Sequence, residues 1–280
     1  MLPAISIITA AFNAEATIAD CIQSIIDQEF QNWELIVVDD ASTDGTLSLA
    51  RAFADKDTRI RVISLPSNRG SGFCRNLAIE SARAPLLAVA DADDRSKPGR
   101  LRLQYEFLQD NPSFTAVASQ LEEFGDWGGP STSSWPTSTL EIENRQRRNA
   151  MPLPHPSCML RTDRVREVGG YDVHCKRSQD YALFLKLRRD RLACLNTVLV
   201  SYRTQRPLSI KYAIWSGRFA SLARKRVLKG ACDIRPARFP QSTLADARSI
   251  AQWGRRRMNE RGISDTETVK LTAGAVSRYR

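Results

Sequence analysis

The apolar positions of the first 120 residues change period in a regular way. Residues 5–12, Ile-Ser-Ile-Ile-Thr-Ala-Ala-Phe, are nearly continuously apolar, as a strand covered on both faces should be. Ile18, Cys21, Ile22, Ile25 and Ile26 then recur at helical spacing, giving an amphipathic helix able to cover that strand. Residues 33–38, Trp-Glu-Leu-Ile-Val-Val, read as a second buried strand that stops at Asp39-Asp40. The alternation continues with a helix at 45–54, a strand at 60–65, a helix at 72–82 and a strand at 85–90 that stops at Asp91. Strands separated by single helices imply a mainly parallel sheet with right-handed crossovers, so the fold class is α/β with a nucleotide-binding layout.

Farther along, the pattern predicts a helix at 98–109 and a strand at 114–124. The Gly, Pro, Ser, Thr and Trp-rich stretch 125–139 then breaks it and reads as a long loop. A short helix at 140–149, a strand at 157–161, a helix at 179–189 and a strand at 192–202 follow. From about residue 208 the chain reads as basic and helical. The expected organisation is a body at 1–207, with halves 1–120 and 121–207, and a basic helical extension at 208–280.

Composition changes this picture little. Of 280 residues, 42% are hydrophobic and 26% charged, which is ordinary for a folded globular chain and excludes a mostly disordered one. No apolar run approaches the roughly 18 to 20 residues that cross a bilayer. The start passes straight into a strand pattern without the basic and apolar blocks of an export signal, so a cytoplasmic location is expected. Six scattered cysteines include no C-x-x-C pair, and reduced, structural thiols are expected.

Charge is uneven. Residues 1–120 hold 11 Lys and Arg against 16 Asp and Glu, whereas residues 201–280 hold 18 against 5, within a net charge of +10. Such a tail suits nucleic acid or an anionic membrane face, and a solvated Arg-rich helical surface accounts for it equally.

The acids are more informative. Open parallel sheets bind ligands at the carboxyl ends of their strands, and Asp39-Asp40 and Asp91-Ala92-Asp93-Asp94 stand at two such ends. Acids gathered at one sheet edge repel one another unless a cation joins them. Asp-x-Asp spacing suits a hard Mg²⁺ or Mn²⁺ ion that also takes phosphate oxygens and water, which points to a diphosphate ligand. Turn and helix-cap preferences of Asp explain either cluster alone, but less well both together. The loop after the first strand, Ala10 to Glu15, has neither G-x-G-x-x-G nor a P-loop. Asn68-Arg69-Gly70-Ser71-Gly72 precedes a helix, where it either presents amides to phosphate or simply makes a turn.

In order, Ser6-Ile7-Ile8-Thr9-Ala10-Ala11-Phe12-Asn13, then Glu34 to Thr46 with its Val-Val-Asp-Asp-Ala-Ser-Thr-Asp-Gly, then Asn68-Arg69-Gly70, Arg75-Asn76 and Asp91-Ala92-Asp93-Asp94 resemble the nucleotide-sugar half of family 2 glycosyltransferases. His155-Pro156-Ser157, Glu167 to Asp172 and Ser178-Gln179-Asp180-Tyr181 resemble the acceptor half. The resemblance covers about residues 4–205. It implies a GT-A fold, a nucleoside-diphosphate sugar donor (foremost a UDP-sugar), Mg²⁺ or Mn²⁺, and inversion at the anomeric carbon. By position, Asp40 matches the acid that contacts the base, with Ala10 to Phe12 forming part of that pocket. Asp91 and Asp93 match the Asp-x-Asp motif for ribose and the diphosphate-bound metal. Asp180 matches the proposed catalytic base.

Gln179 departs from the Glu of many relatives, and Ala10-Ala11 from Pro-Thr or Thr-Ser. The absence of a Gln-x-x-Arg-Trp motif favours addition of single sugars over processive synthesis. The implied acceptor is a glycan or lipid-linked glycan at the cytoplasmic membrane face. Metal-dependent nucleotidyl transfer is an alternative, but it expects a Gly-rich, basic loop after the first strand. A nucleic-acid-binding module built on the tail is another, yet it leaves the acidic clusters unexplained, so no specific nucleic acid is expected. Apart from the resemblance, Asp180 reads as a first-turn helix acid. His155 suits an acceptor site or a structural loop, and Trp127 and Trp135 suit a sugar face or their own domain.

Overall fold

A computed structural model of the protein describes residues 2–204, 209–230 and 243–259. Its elements in chain order begin β1 (Ile5–Ala11), α1 (Ile18–Ile26), β2 (Trp33–Asp39), α2 (Thr46–Ala54), β3 (Ile60–Ser64), α3 (Ser71–Ser81), β4 (Leu86–Val89), β5 (Arg95–Ser96) and α4 (Arg100–Asp110). They continue with β6 (Phe114–Gly125), β7 (Gly128–Thr132), α5 (Thr139–Arg147), β8 (Met159–Arg161), α6 (Thr162–Glu167), α7 (Gln179–Lys186), β9 (Arg191–Arg203), α8 (Ile210–Lys229) and α9 (Thr243–Asn259).

The strands form a single sheet in the order β3-β2-β1-β4-β8-β6-β9-β5, with β7 on β6. The first four are parallel, as the alternating pattern predicts. Beyond them β8 runs antiparallel to both β4 and β6, and β9 runs parallel to β6. Residues 128–132, inside the expected loop, pair with β6 as β7. Gly, Pro, Ser and Thr give no apolar alternation there, so only the backbone ladder marks the strand.

Alternate residues of the buried strands serve different cores. Ile5, Ile7, Leu35 and Val37 face a cluster with Ile18, Ile22 and Ile25 of α1 and Leu101 of α4. Ile8, Ile36 and Val38 face the other side, with Cys74 and Ala78 of α3, Ile142 of α5 and Leu183 of α7. Each fully buried aliphatic side chain contributes about 1.5–3 kcal/mol relative to exposure, so both layers hold the strand ends in place.

A third cluster joins α7 to α8 through Tyr181, Ala182, Leu185, Phe219, Leu222 and Ala223. Arg224 Nε donates to Tyr181 Oη at 2.6 Å, and Arg226 Nε to Asp172 Oδ2 at 2.6 Å. The Ser209 hydroxyl accepts from the Tyr212 N–H at the start of α8, and Gly230 (φ 62°) ends it. Among the described residues no helix is long and apolar enough to cross a membrane, and the five cysteines there are free and buried. Cys232 and residues 260–280 lie outside the described residues.

Candidate active site

The parallel register brings the ends of β1 and β2 side by side, Ala11 opposite Asp39, so that Phe12 and Asp40 leave the sheet at the same level. The Asp40 N–H donates to the Ala11 carbonyl at 2.8 Å. Phe12 is half exposed there, and Ala10 packs against the α3 side of the core. The Asp40 carboxylate is buried and accepts the N–H groups of Arg69 at 2.6 Å and Gly70 at 2.8 Å. Asn68 Nδ2 donates to the Asp40 carbonyl at 3.3 Å. The turn at 68–70, with Gly70 at φ +88°, is therefore tied to the end of β2 and opens α3.

The end of β4 carries the denser charge. Arg75 of α3, nearly buried, places Nη2 2.5 Å from Asp91 Oδ1. Burial disfavours the Asp91 charge, but the Arg75 guanidinium outweighs it and holds the carboxyl below its ordinary range. Asp93 reaches solvent; partial desolvation of its carboxyl and the neighbouring Asp91 charge push it up. Asp94 is buried and rises to about 9, through burial and the charges of Asp91 and Asp93. Its Oδ1 accepts the Arg203 N–H at 2.8 Å, fastening the end of β9, while Oδ2 is buried without a partner.

Arg100, fully buried at the start of α4, has no carboxylate partner among the described residues. It donates to the Val89 carbonyl at 2.6 Å and the Pro156 carbonyl at 3.3 Å, and burial lowers it to about 10. One guanidinium thus stitches the end of β4 to the segment carrying His155.

The opposite wall comes from loops and helix starts. Asp180 lies in the first turn of α7, where Oδ1 accepts the Tyr181 N–H at 2.8 Å. Gln179 Nε2 donates to Ser71 Oγ at 2.6 Å, so α7 starts against the start of α3. His155 Nε2 lies 2.8 Å from Tyr171 Oη, and burial, reinforced by the Arg75 charge, holds the imidazole toward its neutral form. Asn76 clamps Tyr171 by accepting its N–H and donating to its carbonyl, both at 2.8 Å. Arg75 lies 5.6 Å from the Tyr171 ring centre. Adjacent residues of α3 therefore reach both walls.

Between the walls is an open cavity of about 520 Å³, lined among others by Arg75, Asp91, His155, Asp180, Tyr202 and Tyr212. Asp91 and Asp180 share it; Ala10, Phe12, Asp40 and Asp93 are not among its lining residues. Trp127 and Trp135 serve their own domain: Trp127 Nε1 donates to the Thr204 carbonyl at 3.1 Å, and Trp135 packs on the core with its N–H held by Gln120. Arg100 carries no signal in the sequence, and the motif around Tyr171 does not reveal its contact with His155. Asp94 sits inside the acidic motif, but nothing local signals that it fastens β9.

Among the described residues no three His, Cys, Asp or Glu side chains are arranged to hold a metal by themselves. The donors nevertheless fit a hard divalent ion that completes its shell with phosphate and water: three acids in four residues, two of them pushed up by burial and by the neighbouring Asp91 charge, with one carboxylate oxygen orphaned.

This curled mixed sheet, with its carboxylates at the strand ends, is a GT-A-type glycosyltransferase fold. Residues 1–349 of S. aureus TarS in complex with UDP superpose with a TM-score of 0.62 at 20% identity, covering 92% of this chain and 72% of that one. The mannosyltransferase PcManGT of Pyrobaculum calidifontis, in complex with GDP-Man and Mn²⁺, gives 0.61 at 15% identity over 99% and 80%. The profile of glycosyl transferase family 2 matches residues 6–169. The chain belongs to that family.

A Bacillus subtilis (strain 168) protein named as a glycosyltransferase, EpsE, is 33% identical over 190 residues, 66% of either chain. The succinoglycan biosynthesis protein ExoO of Rhizobium meliloti (strain 1021) is 42% identical over 105 residues, 38% of this chain and 30% of ExoO. The matches thus span two thirds or less of these relatives.

Proposed function

We propose that the protein is an inverting glycosyltransferase of polysaccharide biosynthesis. It moves one sugar from a nucleoside-diphosphate sugar, foremost a UDP-sugar, to a hydroxyl of a glycan or lipid-linked acceptor. The observation that carries this reading is that Asp91 and Asp180, from opposite halves of the chain, line one cavity. The UDP bound by TarS, the GDP-Man and Mn²⁺ bound by PcManGT, and the names of EpsE and ExoO support it.

In this reading Phe12 offers its exposed ring to the base beside Ala10, while Asp40 holds the 68–70 turn and keeps lone pairs for the nucleotide. Arg75 keeps Asp91 ionised and oriented toward the ribose and diphosphate. Asp93, next to Asp91, would hold Mg²⁺ or Mn²⁺, which when bound offsets the negative charge of the leaving diphosphate. Asp180 accepts the proton of the attacking acceptor hydroxyl; its anchoring to the Tyr181 N–H leaves the other oxygen for that proton. Attack opposite the leaving group inverts the anomeric carbon. The basic tail places the enzyme at an anionic membrane face on the cytoplasmic side.

The test is donor turnover across UDP-, GDP- and TDP-sugars with Mn²⁺, with the anomeric configuration of the product read by NMR. An inverted product, lost in Asp180→Asn, is expected. A retained configuration, or full activity in that variant, would remove the assignment.

A further inference from the structure

We infer that the cavity contains an anion-binding acceptor subsite built by Lys176, Arg177 and the start of α8. It selects acceptors that carry a phosphate or carboxylate within about one sugar of the accepting hydroxyl. The inference rests on the glycosyl-transfer reading above and deepens it.

Two cations, Lys176 and Arg177, stand on the Asp180 side of the cavity wall. The other cation there, Arg75, is committed to Asp91. Lys176 is exposed and forms no ion pair among the described residues. Among the described residues Arg177 pairs with no carboxylate; its guanidinium lies 4.5 Å from the Tyr212 ring centre and 6.0 Å from that of Trp215. A guanidinium stacked on aromatic rings is oriented at small entropic cost and keeps its N–H fork free for a planar or tetrahedral anion.

The loop is also held. Ser178 (φ 57°) donates its hydroxyl to the Ser216 carbonyl of α8 at 3.2 Å, and α8 is seated on α7 by the Phe219 and Leu222 cluster. Tyr212 and Ser216 line the same cavity, so α8 forms part of the wall. The position relative to the acids decides which substrate meets these cations. The donor diphosphate belongs with Asp91 and Asp93 at the end of β4. Lys176 and Arg177 precede Asp180 by only four and three residues, on the side from which the acceptor hydroxyl must come. A neutral sugar would leave both charges without a partner; an anionic acceptor pairs with them and adds charge-assisted hydrogen bonds.

The test uses the full chain with its donor and Mn²⁺. Its acceptors are glycosyl phosphates, matched hexuronides and neutral methyl glycosides of the common hexoses and N-acetylhexosamines. The expected result is a KM for the preferred anionic acceptor about tenfold below that of its neutral counterpart. That advantage should be lost in Lys176→Gln and in Arg177→Gln, with donor KM and kcat held. Among the described residues Lys176 forms no hydrogen bond or ion pair, so its variant keeps the test sharp should Arg177→Gln loosen α8. A phosphate advantage without a hexuronide advantage identifies phosphate as the anion, and the converse identifies carboxylate. Transfer without any anion preference, an equal loss on neutral and anionic acceptors, or a rise confined to donor KM would overturn the subsite while leaving glycosyl transfer intact. Absence of transfer to every acceptor would remove both.

Discussion

The two walls of the cavity are built by opposite means. The β4 wall hangs on parallel strands in which every residue but Ala10 is buried, so its acids sit where an in-register sheet edge must put them. The Asp180 wall hangs on short helix starts, turns at positive φ and single hydrogen bonds such as Gln179 to Ser71 and His155 to Tyr171. The first wall is held by burial spread over many side chains and tolerates change at any one. The second depends on a few polar contacts, so it is the wall on which one substitution can redirect chemistry or specificity without unfolding the domain.

The largest expected effect is on the second wall. Asp180→Asn should lower transfer by about 10²–10⁴-fold with thermal stability unchanged, read by donor turnover and calorimetry together. Next, Asp91→Asn on the first wall should cost about 3 kcal/mol in denaturant unfolding, because it strands the buried Arg75 guanidinium. A negligible cost would mean that the pair does not anchor that wall.

Smaller still is Glu34, a buried residue of β2 opposite Ser6 of β1, where Ser6 and Arg83 hydrogen bonds outweigh desolvation and hold the carboxyl below its ordinary 4.5. A depressed folded value means stability present above about pH 4.5 and lost as pH falls through the lower native value. Glu34→Gln should therefore cost about 1–3 kcal/mol at pH 7 and flatten the acid side of the stability profile. An unchanged profile would place the acid sensitivity elsewhere. The smallest is Tyr171→Phe, which should cost about 1 kcal/mol and shift the His155 titration seen by NMR.

Legibility in the sequence follows the same division. The period changes of Ile5 to Val38 mark β1, α1 and β2 because both cores draw on alternate residues of the strands. The acids at 39–40 and 91–94 could be found because strands must end at a sheet edge. By contrast, β7 escaped because Gly, Pro, Ser and Thr give no apolar alternation there, and α6 because six residues carry too little period. The reversal of β8 depends on pairing between distant segments, which no local pattern encodes. The approach of Asp180 to Asp91 came from resemblance alone; its physical basis, the α3 residues Ser71, Arg75 and Asn76 reaching both walls, lies in contacts of long sequence separation.

The most direct measurement is calorimetric titration of UDP with Mn²⁺ into wild-type, Asp93→Asn and Asp180→Asn proteins, followed by transfer assays on the same samples. If the walls divide the work as argued, Asp93→Asn loses most of the metal-dependent binding, whereas Asp180→Asn binds as wild type and fails to transfer. Wild-type binding in Asp93→Asn, or binding lost in Asp180→Asn, would contradict that division.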